Sequence, residues 1–167
     1  MTESGASEVD RVRAYLTRRG FSGEVLEFED SSATVDLAAK QVGTRPERIA
    51  KTLSFLDPSD AEHALLVVTA GDAKVNNGKF KRTFGGKARM LPAADVEPLT
   101  GYAIGGVCPF ANPAGTRVFL DESLGRFTTV FPAAGSANSA VELTLEQLEA
   151  LSNAAGWVDV GTGWASN

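Results

Sequence analysis

Three features of this 167-residue chain have the residue types and spacing to do chemistry. Lys51 stands where a helix-forming segment gives way to strand formers, and an ammonium at such a junction can neutralise a phosphate or a developing oxyanion. A glycine-rich stretch contains Gly105, Gly106, Val107, Cys108 and Pro109. Paired glycines let a ligand approach the backbone and be held by its N–H groups, although Gly-Gly before proline also marks a tight turn. The spacing of Gly101, Gly105 and Gly106 does not match the GxGxxG dinucleotide fingerprint. The third feature is a basic run of Lys74, Lys79, Lys81, Arg82, Lys87 and Arg89, with no acidic residue between Asp72 and Asp95. It reads either as a polyanion-binding patch or as a solvated helix-and-loop face.

Other chemistries have little support. His63 is the one histidine and Cys108 the one cysteine. Neither has a partner at metal-ligand spacing, so no metal site and no cofactor are expected. A nucleophile-base triad would depend on His63, which sits in an acidic loop and reads as a surface residue. Cys108 reads as a small buried hydrophobe, since nothing near it in sequence would lower its pKa.

The elements that must position these residues follow from capping and periodicity. Ser7 caps a helix with Val9, Val12 and Leu16 on one face, ending near Gly20. Residues 24–28 alternate charged and apolar side chains as a strand, followed by a polar turn at Asp30, Ser31 and Ser32. Thr34 caps a helix through Val42, and Gly43 ends it in the left-handed position. Thr44, Arg45, Pro46 and Glu47 have the form of a capping box with proline in the first turn, which predicts a second short helix leading to Lys51. Residues 52–56 and 64–69 are expected as neighbouring strands joined by a loop at residues 57–60. A short helix is expected at residues 92–99, and the glycine-rich stretch as a turn entering or leaving a strand. Two more strands fall at residues 117–120 and 126–131, and a small-residue loop at residues 133–139. Thr144 caps a final helix carrying Leu145, Leu148 and Leu151, after which Trp157 packs onto the core. Clustered strands with helices before and after them define an α+β class with a mixed β-sheet core.

Composition sets the outer limits. With 43% apolar residues the chain can fill one core, so a single domain over residues 7–167 is expected, preceded by a disordered segment at residues 1–6. The formal charge of −5 excludes coating of nucleic acid by bulk charge and leaves only a local patch for such binding. A lone cysteine precludes an intramolecular disulfide, and no stretch has the length of a signal peptide core or membrane span. A cytoplasmic location without membrane partners is the expectation.

The order of these segments resembles the YbaK/ProRS-associated editing family, the freestanding relatives of the insertion domain of bacterial prolyl-tRNA synthetase. The marks of the resemblance begin with Ser32-Ala-Thr-Val-Asp-Leu-Ala-Ala and Ile49-Ala-Lys51-Thr-Leu. Gly71-Asp72, Gly105-Gly-Val-Cys-Pro109, Phe119-Leu-Asp121-Glu-Ser-Leu and Ala134-Gly135 follow. The resemblance implies a domain that hydrolyses mischarged aminoacyl-tRNA, with Lys51 as the functional lysine at the acceptor end and residues 105–109 as the family's GxxxP loop around the aminoacyl group. It further implies that Ser32, Gly135, Ser136 and Asn138 line the substrate pocket. Lys74, Lys79, Lys81 and Arg82 would attract the tRNA backbone, and an aminoacyl-tRNA synthetase is a possible partner. Hydrolysis would use a positioned water or a substrate hydroxyl. Ala111 departs from the glycine many relatives carry after the proline loop, and residues 133–138 lack the histidine of some insertion domains. A non-catalytic module binding aminoacyl-tRNA or a small ligand is the alternative.

Overall fold

The apolar run at residues 64–68 has no solvent exposure on either side-chain face, as expected of a central strand covered on both faces. In a computed structural model, which describes residues 7–30 and 34–164, this run lies in β3 (Asp60–Ala70). It pairs antiparallel with β2 (Ile49–Asp57) through a tight hairpin. The buried Asp57 carboxylate fixes that hairpin, accepting from Ser59 N–H at 2.9 Å and from Arg117 at 2.7 and 2.8 Å.

Around this pair the sheet is mixed. β5 (Arg117–Asp121) lies parallel to β3, and β9 (Gly156–Val158) parallel to β5. On the other side β6 (Thr129–Pro132) runs parallel to the start of β2, and β8 (Leu143–Thr144) closes that edge antiparallel to β6. The order is β8-β6-β2-β3-β5-β9. Two short pairs flank it: β1 (Val25–Glu27) with β7 (Ser139–Val141), and β4 (Lys74–Val75) with β10 (Gly161–Thr162).

Helices cover both faces. α1 (Glu8–Arg18), α4 (Ala93–Thr100) and α5 (Leu145–Ser152) pack Val12, Leu16, Val96, Leu148 and Leu151 onto the even-numbered side chains of β3, including Leu66 and Val68. α3 (Asn77–Phe84) puts Phe80 against Leu65 and Val67 on the opposite face. α2 (Val35–Val42) places Ala38 and Ala39 on Ile49 and Phe131. The result is a single α+β domain, the class read from the sequence.

The cap signals of three helices hold as anticipated. Ser7, Thr34 and Thr144 each accept from a first-turn N–H, and Gly43 adopts φ 77°. Five local expectations need correction. Thr44 forms no capping box, because the 3-10 turn Pro46–Arg48 has Arg45 at its N-cap position and no side-chain cap; Thr44 instead accepts from Arg48. Lys51 is therefore the third residue of β2, inside the sheet rather than at its entrance. The glycine-rich stretch is followed by more loop before β5 begins at Arg117, so it joins no strand directly. Trp157 lies on the edge strand β9, 37% exposed, where its indole N–H donates to Glu149. The strand expected at residues 126–131 is shortened by a 3-10 turn at Glu122–Arg126. The expectations for residues 1–6 and for Ser31 and Ser32 lie outside the described residues.

Candidate active site

β2 has two successive neighbours on the edge away from β3. β6 pairs with Ile49 and Ala50 and stops at Pro132, and Met90 forms a single antiparallel bridge with Phe55. That bridge is made by Leu56 N–H to the Arg89 carbonyl at 2.8 Å and Leu91 N–H to the Ser54 carbonyl at 3.1 Å. Pro92 then directs the chain into α4. Between these neighbours the edge of β2 is left open, and a cavity of about 450 Å³ occupies the opening.

Its floor is residues 49–54 of β2. Leu91 and Val96 form one wall, and Phe131, Ala133, Ser139 and Ala140 the other. Ile104, Gly105 and Val107 come from the glycine-rich loop, while Thr34, Val35 and Ala38 of α2 reach the cavity from the opposite sheet face. Among the described lining residues Lys51 is the only titratable side chain. Lys51 is half-buried, and its Nζ donates to the Gly71 carbonyl at 3.5 Å. Burial lowers its pKa from the ordinary lysine value; nearby Asp72 acts in the opposite sense and Lys74 adds to the lowering. Asp72 is itself gripped by the Arg126 guanidinium at 2.6 and 3.0 Å.

Gly71 is required here on steric grounds. A Cβ on it would stand 2.0 Å from the Pro46 carbonyl oxygen and 2.7 Å from Val35. The end of β3 thus touches the 3-10 turn, which brings the Gly71 carbonyl to Lys51. The turn is tied to β6 by Arg48, whose Nε donates to the Thr129 carbonyl at 3.2 Å and whose Nη2 donates to Thr129 Oγ1.

The glycine loop is braced from beneath. Tyr102 Oη donates to the Phe110 carbonyl, and Asn112 Nδ2 donates to the carbonyls of Thr100 at 2.9 Å and Cys108 at 3.1 Å. Gly105 and Val107 reach the cavity, whereas Gly106 packs against the 133–139 loop: its Cβ would lie 2.8 Å from Ser136 Cα and 2.9 Å from the Gly135 carbonyl. Cys108 and Pro109 are buried beneath the loop and do not line the cavity. Burial pushes the Cys108 thiol up to about 12, which suits a core residue and not a nucleophile. Gly135, Ser136 and Asn138 stand behind the lining. Ser136 Oγ donates to Asn138 Oδ1 at 2.8 Å, and Asn138 Nδ2 donates to the Phe28 carbonyl at 2.6 Å. Ser32 lies outside the described residues.

The basic run is distributed rather than clustered. Lys74 is exposed on β4, close enough to affect Lys51. Lys79 is engaged by Asp159 at 3.0 Å and by the Gly161 carbonyl at 2.9 Å. Lys81 joins Lys87 and Arg89 around a second cleft, and Arg82 is exposed on α3. The strand-like segment that contributes Arg89 to this cleft contributes Met90 and Leu91 to the first cavity. His63 lines neither; its Nδ1 lies 2.6 Å from Asp60 at the hairpin end. Among the described residues no helix is long and apolar enough to cross a membrane.

Sequence reasoning missed the apolar walls. Leu91, Val96, Phe131, Ala133 and Ala140 carry no polar signature; they become neighbours only when β6 and the Met90 bridge meet the same edge of β2. Pro92 after Leu91 was a usable sign that a strand contact ends there.

With this geometry in view, comparison with known proteins identifies the class. The model of the aminoacyl-tRNA editing domain matches residues 29–151, and the chain belongs to that family. A protein of Bacillus subtilis, YwhH, whose function is uncharacterized, is 50% identical over 92% of this chain and 96% of its own length. A protein of Enterococcus faecalis named "Putative Cys-tRNA(Pro)/Cys-tRNA(Cys) deacylase EbsC" is 24% identical over 75% of this chain and 76% of its own. The crystal structure of "a putative trans-editing enzyme for prolyl tRNA synthetase" superposes with a TM-score of 0.84 at 32% identity, covering 96% of this chain and all of that one.

Proposed function

We propose that this protein is a trans-acting aminoacyl-tRNA deacylase that hydrolyses the ester of a mischarged tRNA, with its reaction centre in the cavity at the edge of β2. The observation that carries the reading is one half-buried ammonium, Lys51, in the floor of an otherwise uncharged cavity of about 450 Å³ within an aminoacyl-tRNA editing domain. In this reading Lys51 binds the terminal adenosine end, by its 5′ phosphate or ribose oxygens, and offsets negative charge as the ester is attacked. Low local polarity strengthens that interaction relative to water.

The loop of Gly105 and Val107 closes over the aminoacyl group, while Gly106, Cys108 and Pro109 set the shape of the loop. Gly135, Ser136 and Asn138 support it from behind through the Gly106 contact. No lining carboxylate, imidazole or thiol is present among the described residues to act as a base, so the attacking oxygen is a water positioned by main-chain groups or by a substrate hydroxyl. Lys74, Lys81 and Arg82 contact the tRNA backbone, and Lys79 joins them by exchanging Asp159 for phosphate.

The missing side-chain base also favours a second reading, a module that binds aminoacyl-tRNA without turnover. Release of labelled amino acid from tRNAs mischarged with cysteine, alanine, serine and larger residues, with and without a synthetase, separates the two. Turnover of any member supports the deacylase; saturable, salt-sensitive binding with no release across the panel supports the module.

A further inference from the structure

The opening in the sheet is one residue wide in hydrogen-bonding terms. Main-chain groups alternate sides along a strand, and Ser54 and Leu56 use theirs toward the 89–91 segment. Thr52, two residues earlier, therefore points its N–H and C=O out of the same edge. β6 has ended at the level of Ala50, and Pro92 has turned the other neighbour away. No described residue hydrogen-bonds the Thr52 main chain on that side. From Ala50 to Ser54 the open edge measures about 13 Å at the usual strand rise, and it faces the cavity that Thr52 lines.

We propose that this edge recognises the aminoacyl group as a single residue of added β-strand. The inference rests on the deacylase reading of the cavity and specifies the part of the substrate bound there. An α-aminoacyl ester carries an ammonium and a carbonyl with the spacing of one peptide residue. Two residues in an antiparallel hydrogen-bonded pair exchange both N–H···O bonds. The substrate ammonium thus donates to the Thr52 carbonyl, and Thr52 N–H donates to the ester carbonyl, continuing the antiparallel pairing that Met90 begins.

The pairing fixes handedness. Directly opposed residues put their side chains on the same face, and Thr52 is paired with Val68, whose side chain belongs to the cluster containing Leu91 and Val96. An L-residue therefore projects its side chain toward Leu91, Val96 and Val107. A D-residue holding the same two bonds puts its side chain where the L-residue carries its Cα hydrogen, near the sheet plane and directed away from β2 rather than onto that wall, or loses one of the two bonds. Selection is for a free α-amino group and for L configuration, and the apolar wall judges side-chain size.

The test uses non-hydrolysable amides of 3′-amino-3′-deoxyadenosine carrying L-alanyl, D-alanyl and N-acetyl-L-alanyl groups, titrated calorimetrically into the full chain. The L-alanyl compound is expected to bind about 10-fold tighter than the N-acetyl compound, whose amide N–H still donates but without the charge that strengthens the bond, and tighter than the D-alanyl compound. Thr52→Pro, which removes the N–H but spares the ladder to β3, is expected to erase the preference while retaining a cooperative melt; should it unfold, the ligand series decides alone. Equal binding of the three compounds, or no binding of the L-alanyl compound, overturns the proposal. Discrimination among the amides without deacylation of any tRNA leaves the slot standing and removes the deacylase reading. Deacylation without discrimination does the reverse.

Discussion

Replacing Thr52 by valine should make the protein more stable. Thr52 Oγ1 is buried without a hydrogen-bond partner among the described residues, and Thr116 Oγ1 is in the same condition. A buried hydroxyl left unpaired costs about 1–3 kcal/mol relative to water, and valine fills nearly the same space with a methyl group that needs no partner. Some of that cost is recovered by contacts the hydroxyl already makes, so a gain of about 1 kcal/mol is the expectation for Thr52→Val. For a chain of this length that gain corresponds to a rise in Tm of about 2–4 °C. Thr116→Val should behave alike, although Thr116 does not line the cavity. Urea denaturation monitored by circular dichroism gives both values, with the slope m unchanged. Destabilisation by Thr52→Val of more than about 0.5 kcal/mol would refute the reasoning, because it would mean that an ordered water satisfies the hydroxyl.

Ala111 holds φ 53°, so Ala111→Gly should stabilise by about 1 kcal/mol, the left-handed penalty of alanine less the added freedom of unfolded glycine; a lowered midpoint in urea would contradict this. Gly71→Ala drives a methyl into the Pro46 carbonyl and should cost about 3 kcal/mol or more, beyond ordinary overpacking because the obstacle is backbone; an unchanged melting curve would show that the turn moves freely. Burial alone would raise the Asp57 pKa, but hydrogen bonds from Arg117 and Ser59 outweigh it and hold the carboxyl below its ordinary value. Its stabilisation is present above the unfolded pKa of about 3.9 and lost as pH falls through the lower folded value. Asp57→Asn should flatten that acid limb of stability, and an unaltered limb would assign it to other carboxylates. Lys51 works in the other direction. Its folded pKa is lowered, so the unfolded chain binds the proton more tightly and this residue makes stability rise with pH between the two values. Lys51→Met should remove that rise.

Much of the scaffold was legible because its signals are local. Thr34 and Gly43 bracket α2 within ten residues, and the continuous apolar run of β3 announces a strand buried on both faces. Thr44 misled because a capping box describes only the first turn of a helix; Ile49 and the residues after it were already committed to pairing with β3 and β6, and the helix ended after one turn. The site was legible in part. Lys51, Gly105 and Val107 stood out by residue type and by the family-like order of segments. The slot at Thr52 did not, since it exists only because β6 and the Met90 segment, far apart in sequence, leave one residue of β2 uncovered. Cys108 and Asn138 illustrate the converse: both belong to loops around the cavity, yet one is sealed in the core and the other spends its amide on the Phe28 carbonyl.

Lys51→Ala tested in single-turnover deacylation bears most directly on the proposed function. With the best substrate of the mischarged panel, and with far-ultraviolet circular dichroism and melting confirming an intact fold, the rate constant should fall by about 10²–10³-fold, the usual effect of removing one group that stabilises developing charge. Wild-type activity in the variant, or no hydrolysis of any panel member by the wild type, would contradict it.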